Sequence, residues 1–320
     1  MVTVIMEEYR PMVSVIVLTY NHEKYIKQAL DSILRQKVNF DYEILIGDDA
    51  STDNTVKVLK EYKSKYSKII KLFLNEVNLG ATRNAYNLLV NAKGKYLATC
   101  EGDDYWTDDN KLQIQVEFLE KNKELVGCSH YFTVVDEDNK PYKNQYLSWV
   151  KQKEIFTLND FEGMFLPGQP ATFLRRNLFL NKSIDFSYLY KIHRNVGDKT
   201  LMMIYLLYGN FALIKRNMSC YRKSYNNSLT GEIYKNKSRF LYEDYKMLKD
   251  FEKILLLYDK NIKFFKGKKI IFAKTVYFYV KSLKKDYLDL TILILKENKN
   301  YIKFIIYVPL YYFTRLIKSL

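Results

Sequence analysis

The first 135 residues alternate between short apolar segments and longer segments with helical spacing. The apolar segments are residues 13–18, 42–46, 69–74 and 95–100. The first is apolar on both faces, which is typical of a strand inside a parallel sheet that helices cover on both sides. This alternation predicts an α/β fold built on a doubly wound, mostly parallel sheet.

Acidic turns follow the second and fourth of these strands. Asp48-Asp49 ends one strand, and Glu101-Gly102-Asp103-Asp104 follows another. The carboxyl ends of parallel strands form the edge at which such sheets bind ligands. Clustered carboxylates repel one another unless a cation or solvent compensates them, and Mg²⁺ and Mn²⁺ prefer oxygen ligands. The alternative for one such turn is a solvated loop, but two on one edge favour a metal and phosphate site.

The charge balance narrows the choice of partners. Lys and Arg number 51 against 36 Asp and Glu, a formal net charge of +15. Nucleic acid, an anionic membrane surface or a phosphorylated substrate would suit this surplus. No nucleic-acid-binding motif is present, and the surplus builds up mainly after about Lys235, so nucleic acid is not expected as a partner.

The cysteine pattern indicates a reducing compartment. Cys100, Cys128 and Cys220 form no CxxC pair, and the histidines are too scattered for a zinc site. The first ten residues lack the apolar core of a signal peptide, and no apolar run reaches about 18 residues. We therefore expect a cytoplasmic protein, with attachment to the inner face of the membrane left open.

Three motifs in order carry a family resemblance. They are residues 14–21 (SVIVLTYN), residues 47–55 (GDDASTDNT), and residues 94–96 (GKY) leading into residues 101–104 (EGDD). Together they resemble glycosyltransferase family 2, the inverting nucleotide-sugar transferases with the GT-A fold. The resemblance runs from residue 12 to about 225. It implies a catalytic domain over residues 1–232, with a nucleotide-sugar half (12–135) and an acceptor half (136–232). A basic helical region would follow over residues 233–320.

The resemblance implies a set of donor-binding residues. Asp49 matches the acid that binds the nucleotide base, Tyr20 an aromatic that stacks on it, and Arg83 a basic position near the nucleotide. A structural alternative exists for each: a turn or helix cap for Asp49, packing for Tyr20 and plain solvent exposure for Arg83. Asp48 is expected to have a structural role instead, as a side chain that stabilises the turn or caps the helix that follows.

The acidic turn corresponds to the DxD signature of the family. Asp103 matches the ligand of a divalent cation, Mn²⁺ or Mg²⁺, on the donor diphosphate. Glu101 stands in place of the usual first Asp, so it would contact either the ribose hydroxyls or the metal through water. Arg222 matches an arginine expected at the diphosphate, but the histidine that often follows it in the family is replaced here by Lys223-Ser224.

Gly197-Asp198 precedes a helical pattern and matches the late acid of the family. Asp198 is therefore the expected general base, which takes the proton of the acceptor hydroxyl. The alternative is an ordinary helix N-cap.

The implied function is a metal-dependent inverting transfer from a nucleotide sugar, with UDP as the favoured nucleotide, to a glycan or a lipid-linked glycan in cell-surface polysaccharide synthesis. Two alternatives stay open: a sugar-phosphate nucleotidyltransferase and a non-catalytic binding scaffold. Residues 304–314 form an uncharged, aromatic run flanked by Lys and Arg. This composition suits an anionic membrane surface, or else packing against the catalytic domain or against a second subunit in a homo-oligomer.

Overall fold

The computed structural model describes residues 10–223, 235–298, 304 and 306–309. The chain divides into two compact units, the first made of the residues up to 160 and 165–223. The second unit contains residues 161–164 and those after 223. The division thus lies near residue 223, whereas the sequence places the end of the catalytic domain at residue 232.

The first unit begins with four parallel strands connected through helices. The strands are β1 (Val13–Thr19), β2 (Tyr42–Asp48), β3 (Ile70–Leu74) and β4 (Tyr96–Glu101). Three helices follow the first three strands, namely α1 (Ile26–Leu34), α2 (Thr55–Lys65) and α3 (Ala81–Leu89). The strand order is β3-β2-β1-β4, and every pair is parallel. The alternating, doubly wound fold predicted from the sequence is confirmed in this part.

The register of the strands aligns the two acidic turns. Thr19 of β1 lies opposite Asp48 of β2, and Leu18 lies opposite Glu101 of β4. Both turns therefore leave the sheet at one edge, as predicted. Beneath them, α1 packs four fully buried apolar side chains into the core: Ile26, Ala29, Leu30 and Ile33. Burial of each larger side chain contributes about 1.5–3 kcal/mol, which holds this edge rigid.

The remainder of the first unit contains five further strands and four helices. They are β5 (Tyr105–Trp106), α4 (Lys111–Lys121), β6 (Leu125–Val135), β7 (Ile155–Phe156), α5 (Leu158–Phe161), β8 (Leu174–Arg176), α6 (Tyr188–Ile192), α7 (Asp198–Leu206) and β9 (Asn210–Arg222). β8 pairs antiparallel with β4 and β6, whereas β6 and β9 are parallel. The sheet is thus parallel from β3 to β4 and mixed beyond β4.

Three local details define where elements begin and end. Helix α5 ends at Phe161, because Glu162 and Gly163 have φ values of 50° and 75° in the left-handed region. Strand β8 begins at Leu174, after a 3-10 turn over Pro170–Thr172. Helix α1 begins at Ile26. Asn21 has a φ of 55°, and its Oδ1 accepts the N–H of Thr52, which ties two rim loops together.

The second unit is helical, as predicted. Its helices are α8 (Lys237–Leu257), α9 (Phe265–Ser282) and α10 (Lys285–Glu297). Phe161, Phe251 and Phe264 pack with ring centroids 5.8–6.4 Å apart. Among the described residues, no helix combines the length and the apolar character that crossing a bilayer requires. Most of the aromatic run at 304–314 lies outside the described residues.

Candidate active site

Asp49 organises the loop that precedes α3. Its Oδ1 accepts hydrogen bonds from the N–H of Leu79 at 2.8 Å and from the amide of Asn75 at 3.0 Å. Its Oδ2 accepts the N–H of Gly80 at 2.9 Å. A carboxylate offers about four acceptor positions, so about one remains for a ligand. Asp48 accepts the N–H of Ser51, which confirms the turn role expected for it.

Tyr20 and Arg83 present groups that a nucleotide can use. Tyr20 follows β1 on the rim, and its side chain is 42% exposed. The guanidinium of Arg83 lies 4.0 Å from the ring centroid of Tyr190 on α6. Cation–π stacking orients the guanidinium and leaves its edge available for hydrogen bonds. Arg83 thus contacts α6, and no contact among the described residues links it to the acidic turn.

The acidic turn concentrates negative charge. Burial and the nearby charges of Asp103 and Asp198 raise the pKa of Glu101 to about 8. Burial, Asp103 and Glu101 raise the pKa of Asp104 well above its ordinary range. Oδ1 of Asp104 accepts the backbone N–H of Arg222 at 2.8 Å. The buried Oδ2 of Asp104 has no hydrogen-bond partner in the described structure. The turn therefore holds more carboxyl groups than the surrounding protein can stabilise in their charged form.

A divalent cation fits this set of donors. The side chain of Asp103 is 26% exposed, so its carboxylate can meet an ion carried by a ligand. A cation would also relieve the mutual repulsion that raises the neighbouring pKa values. In the described parts of the chain, however, no three His, Cys, Asp or Glu side chains already surround one position. An ion at this turn would therefore complete its coordination with oxygens of the ligand.

The guanidinium of Arg222, predicted to reach the diphosphate, is hydrogen-bonded within the protein. Its Nε donates to the carbonyl of Asp103 at 2.8 Å. Its terminal nitrogens donate to four further oxygen acceptors at 2.8–3.1 Å, on Gln28, Asp136, Glu137 and Asn139. These bonds use all five guanidinium N–H groups. Because the side chain is also buried, Arg222 holds the acidic turn in place, and its N–H groups are already used by protein acceptors.

Asp198 is the first residue of α7, and its Oδ1 accepts the N–H of Lys199 at 2.8 Å. Its charge also helps to raise the pKa of Glu101, so two carboxyl groups about 100 residues apart in sequence interact electrostatically in the folded protein. Gly197 places the start of this helix against α3, because a Cβ there would lie 2.8 Å from Cγ2 of Thr82.

Two residues near the acidic turn were not predicted from the sequence to lie there. Nε2 of His22 lies 3.9 Å from Oδ2 of Asp103. Arg175 on β8 is buried, and its Nη2 donates to Oγ1 of Thr99 at 2.6 Å. Burial lowers the pKa of Arg175, while Tyr205 and Asp198 act in the opposite direction. Arg175 carries no sequence signal, whereas His22 stands three residues after β1, at the edge of the sheet where both acidic turns lie.

Comparison with solved structures defines the class of fold. The structure of TarS 1-349 from S. aureus in complex with UDP-GlcNAc matches with a TM-score of 0.64 over 89% of this chain and 80% of that one, at 18% identity. The same protein in complex with UDP matches with a TM-score of 0.57 over 81% and 69%, at 19% identity. The fold is therefore that of the GT-A glycosyltransferases.

The family model for glycosyl transferase family 2 matches residues 14–197, and the chain belongs to that family. Putative glycosyltransferase EpsE of Bacillus subtilis is 37% identical over 127 residues, which cover 40% of this chain and 45% of EpsE. Abequosyltransferase RfbV of Salmonella typhimurium is 31% identical over 151 residues, 47% of this chain and 44% of RfbV. An uncharacterized protein of Mycobacterium bovis is 40% identical over 146 residues, 45% of this chain and 42% of that protein. The matched region thus spans about half the length, or less, of these relatives.

Proposed function

We propose that this protein transfers a sugar from a UDP-sugar to a hydroxyl group of a glycan or lipid-linked glycan, with inversion at the anomeric carbon. One observation carries the proposal. The charge of Asp198, at the start of α7, acts on Glu101 of the acidic turn, which supports a base close to a diphosphate site at this turn. The nucleotide is chosen because TarS, whose fold is similar, was solved with UDP and with UDP-GlcNAc.

Each rim residue then has a role at the donor. Tyr20 stacks on the base, and Asp49 both accepts from the base through its remaining lone pair and holds the Leu79–Gly80 backbone. Arg83, stacked on Tyr190, donates to the nucleotide. Glu101 contacts the ribose hydroxyls, which suits a carboxyl group that burial and its neighbours keep largely protonated near neutral pH.

Asp103 would hold the divalent cation, Mn²⁺ or Mg²⁺, whose charge stabilises the departing diphosphate. The acceptor hydroxyl attacks the anomeric carbon from the side opposite the diphosphate. Its oxygen forms the new bond to carbon, and the bond between carbon and phosphate oxygen breaks with both electrons leaving on UDP. Asp198 takes the hydroxyl proton as the bond forms. The balanced products are the glycosylated acceptor and UDP.

The connection between α9 and α10 exposes apolar side chains next to lysines, and this surface supports binding to a membrane that carries the acceptor. Val280 and Leu283 are 70% and 75% exposed, and Lys281, Lys284 and Lys285 flank them. No carboxylate among the described residues pairs with these lysines. Apolar side chains surrounded by cationic ones suit the interface of an anionic bilayer. We therefore propose a cytoplasmic enzyme that binds the inner face of the membrane through its second unit, with the 304–314 run as a further contact.

The deciding experiment combines two measurements on the full chain. Nucleotide sugars are first screened, with and without Mn²⁺, for those that raise the melting temperature. UDP release is then measured with the stabilising donor and with lipid-linked or free glycan acceptors. Stabilisation by UDP-sugars together with acceptor-dependent UDP release supports the proposal. Stabilisation without any release would favour the binding scaffold.

A further inference from the structure

The backbone of His22 is fixed on the rim beside the acidic turn. Its N–H donates to Oγ1 of Thr55 at 2.9 Å, and its carbonyl accepts the N–H groups of Tyr25 and Ile26, each at 2.9 Å. These bonds join the loop after β1 to the start of α2. The backbone of His22 is therefore held in place at the rim of the sheet.

The imidazole itself packs against the acidic turn. A Cβ at Gly102 would lie 2.8 Å from Nδ1 of His22, so the glycine leaves the space that the ring occupies. Nδ1 is buried and has no hydrogen-bond partner among the described residues. The side chain as a whole is 22% exposed, and Nε2 lies on the side of Asp103.

The separation between Nε2 of His22 and the carboxylate of Asp103 is too long for a hydrogen bond but leaves room for an ion between them. At 3.9 Å, Nε2 of His22 and Oδ2 of Asp103 are too far apart for a direct hydrogen bond, which needs about 3.2 Å or less. Metal–nitrogen and metal–oxygen bonds are about 2.0–2.2 Å long. Two ligands of one ion are then separated by roughly 3.0 Å at a right angle and roughly 4.2 Å when opposite. The observed 3.9 Å lies between these two separations and is compatible with one ion that contacts both atoms.

We infer that Nε2 of His22 is a second protein ligand, beside Asp103, for the divalent cation that accompanies the donor diphosphate. The inference rests on the proposed metal-dependent function. Two protein ligands agree with the absence of a three-ligand cluster in the described structure, because diphosphate oxygens and water would complete the shell. An imidazole ligand also favours Mn²⁺ over Mg²⁺, since Mg²⁺ is usually bound through oxygen.

The test uses Mn²⁺ and UDP with the full chain and needs no turnover. Electron spin-echo spectroscopy of the Mn²⁺ complex detects a directly bound imidazole through its ¹⁴N coupling. Wild-type protein should show this coupling, and labelling histidine with ¹⁵N should alter it. His22→Asn and His22→Gln should both lose it and weaken Mn²⁺ binding in the presence of UDP by about tenfold or more. Melting temperatures show whether the variants fold.

The outcomes separate the inference from the function on which it rests. Wild-type protein that binds Mn²⁺ and UDP without a ¹⁴N coupling would overturn the role of His22 and leave metal dependence intact. The same conclusion follows if folded His22→Asn keeps the coupling and the affinity. Wild-type protein that binds UDP but no Mn²⁺ would overturn the metal dependence itself, and the ligand role of His22 with it.

Discussion

Oδ2 of Asp49 accepts a hydrogen bond from the backbone N–H of Gly80 at 2.9 Å. Gly80 has a φ of 90°, and a Cβ there would lie 2.5 Å from Cγ of Arg194. The carbonyl of Arg194 accepts both the N–H and the hydroxyl of Thr82. The edge of the sheet at Asp49 is thus connected, through the start of α3, to the loop that leads into Asp198. Changes at Asp49 should consequently affect the fold as well as the donor.

Asp49→Asn should lower the free energy of unfolding by about 1–3 kcal/mol. Its amide NH₂ would face one of the two backbone N–H donors that now share the carboxylate, and this N–H would lose its acceptor. Urea unfolding followed by circular dichroism measures the change. If Asp49→Asn keeps wild-type stability but loses UDP affinity, the residue serves only the base.

Tyr20→Ala should show the opposite pattern. Its ring is exposed, so stability should stay within about 0.5 kcal/mol of wild type. Loss of base stacking should weaken UDP binding by about 1–3 kcal/mol, measured by calorimetry. Tyr242→Ala is the matched control, because Tyr242 is 50% exposed in the second unit. Equal UDP affinity in the two variants would argue against stacking at Tyr20.

Asp198→Asn should fold and bind UDP normally but transfer sugar about 10²–10⁴ times more slowly, since an amide cannot take the acceptor proton. Initial rates of UDP release at saturating donor and acceptor measure the effect. Asp185→Asn, an exposed acid on the loop before α6, is the control and should keep its rate. Wild-type turnover of Asp198→Asn would remove this residue as the base.

Metal-free protein should lose stability as pH rises from about 4.5 to about 8. The pKa of Glu101 is raised to about 8 from 4.5, so in this window the folded state binds more protons than the unfolded state. The unfolding free energy therefore falls with rising pH. Mn²⁺ should offset the loss, and most strongly at pH 8.

Urea unfolding at pH 5 and pH 8, with EDTA or with Mn²⁺, measures this difference. Glu101→Gln should flatten the pH dependence because it removes the titrating group. Asp109→Asn, a partly exposed ion-paired acid, should leave the dependence in place. A pH dependence that survives in Glu101→Gln would assign it to other groups, Asp104 among them.

Arg222→Lys should destabilise the protein by about 3 kcal/mol or more, since a lysine cannot satisfy the five acceptors around the buried guanidinium. Arg216→Lys, at a partly exposed site, should cost less. Thermal unfolding and UDP calorimetry are measured together. A stable Arg222→Lys variant with weakened UDP binding would restore the diphosphate contact predicted from the sequence.

The parallel half of the fold could be predicted from sequence because its signals are local. Apolar runs such as residues 13–18 identify buried strands, and the acids that follow β2 and β4 must share one edge once the strands are parallel. The order of motifs also placed Asp198 at a helix start, where α7 indeed begins.

The roles of Arg222 and His22 could not be predicted, because they depend on contacts between segments that are distant in sequence. Arg222 had the residue type of a phosphate ligand, but its N–H groups donate to backbone and side-chain oxygens of residues 83–194 positions away in sequence. In the sequence, His22 is one of three scattered histidines. Only the packing of its ring over Gly102 brings it close to Asp103.

The sequence by itself determined the alternating α/β class, the acidic edge and the family. Periodicity and the chemistry of strand ends act over a few residues, and a linear pattern records them directly. The tertiary structure alone decided which polar side chains remain exposed on the rim, as with Tyr20 and Asp103, and which are used within the protein, as with Arg222. Availability depends on burial and on hydrogen-bond partners, and both are set by segments that meet only when the chain folds.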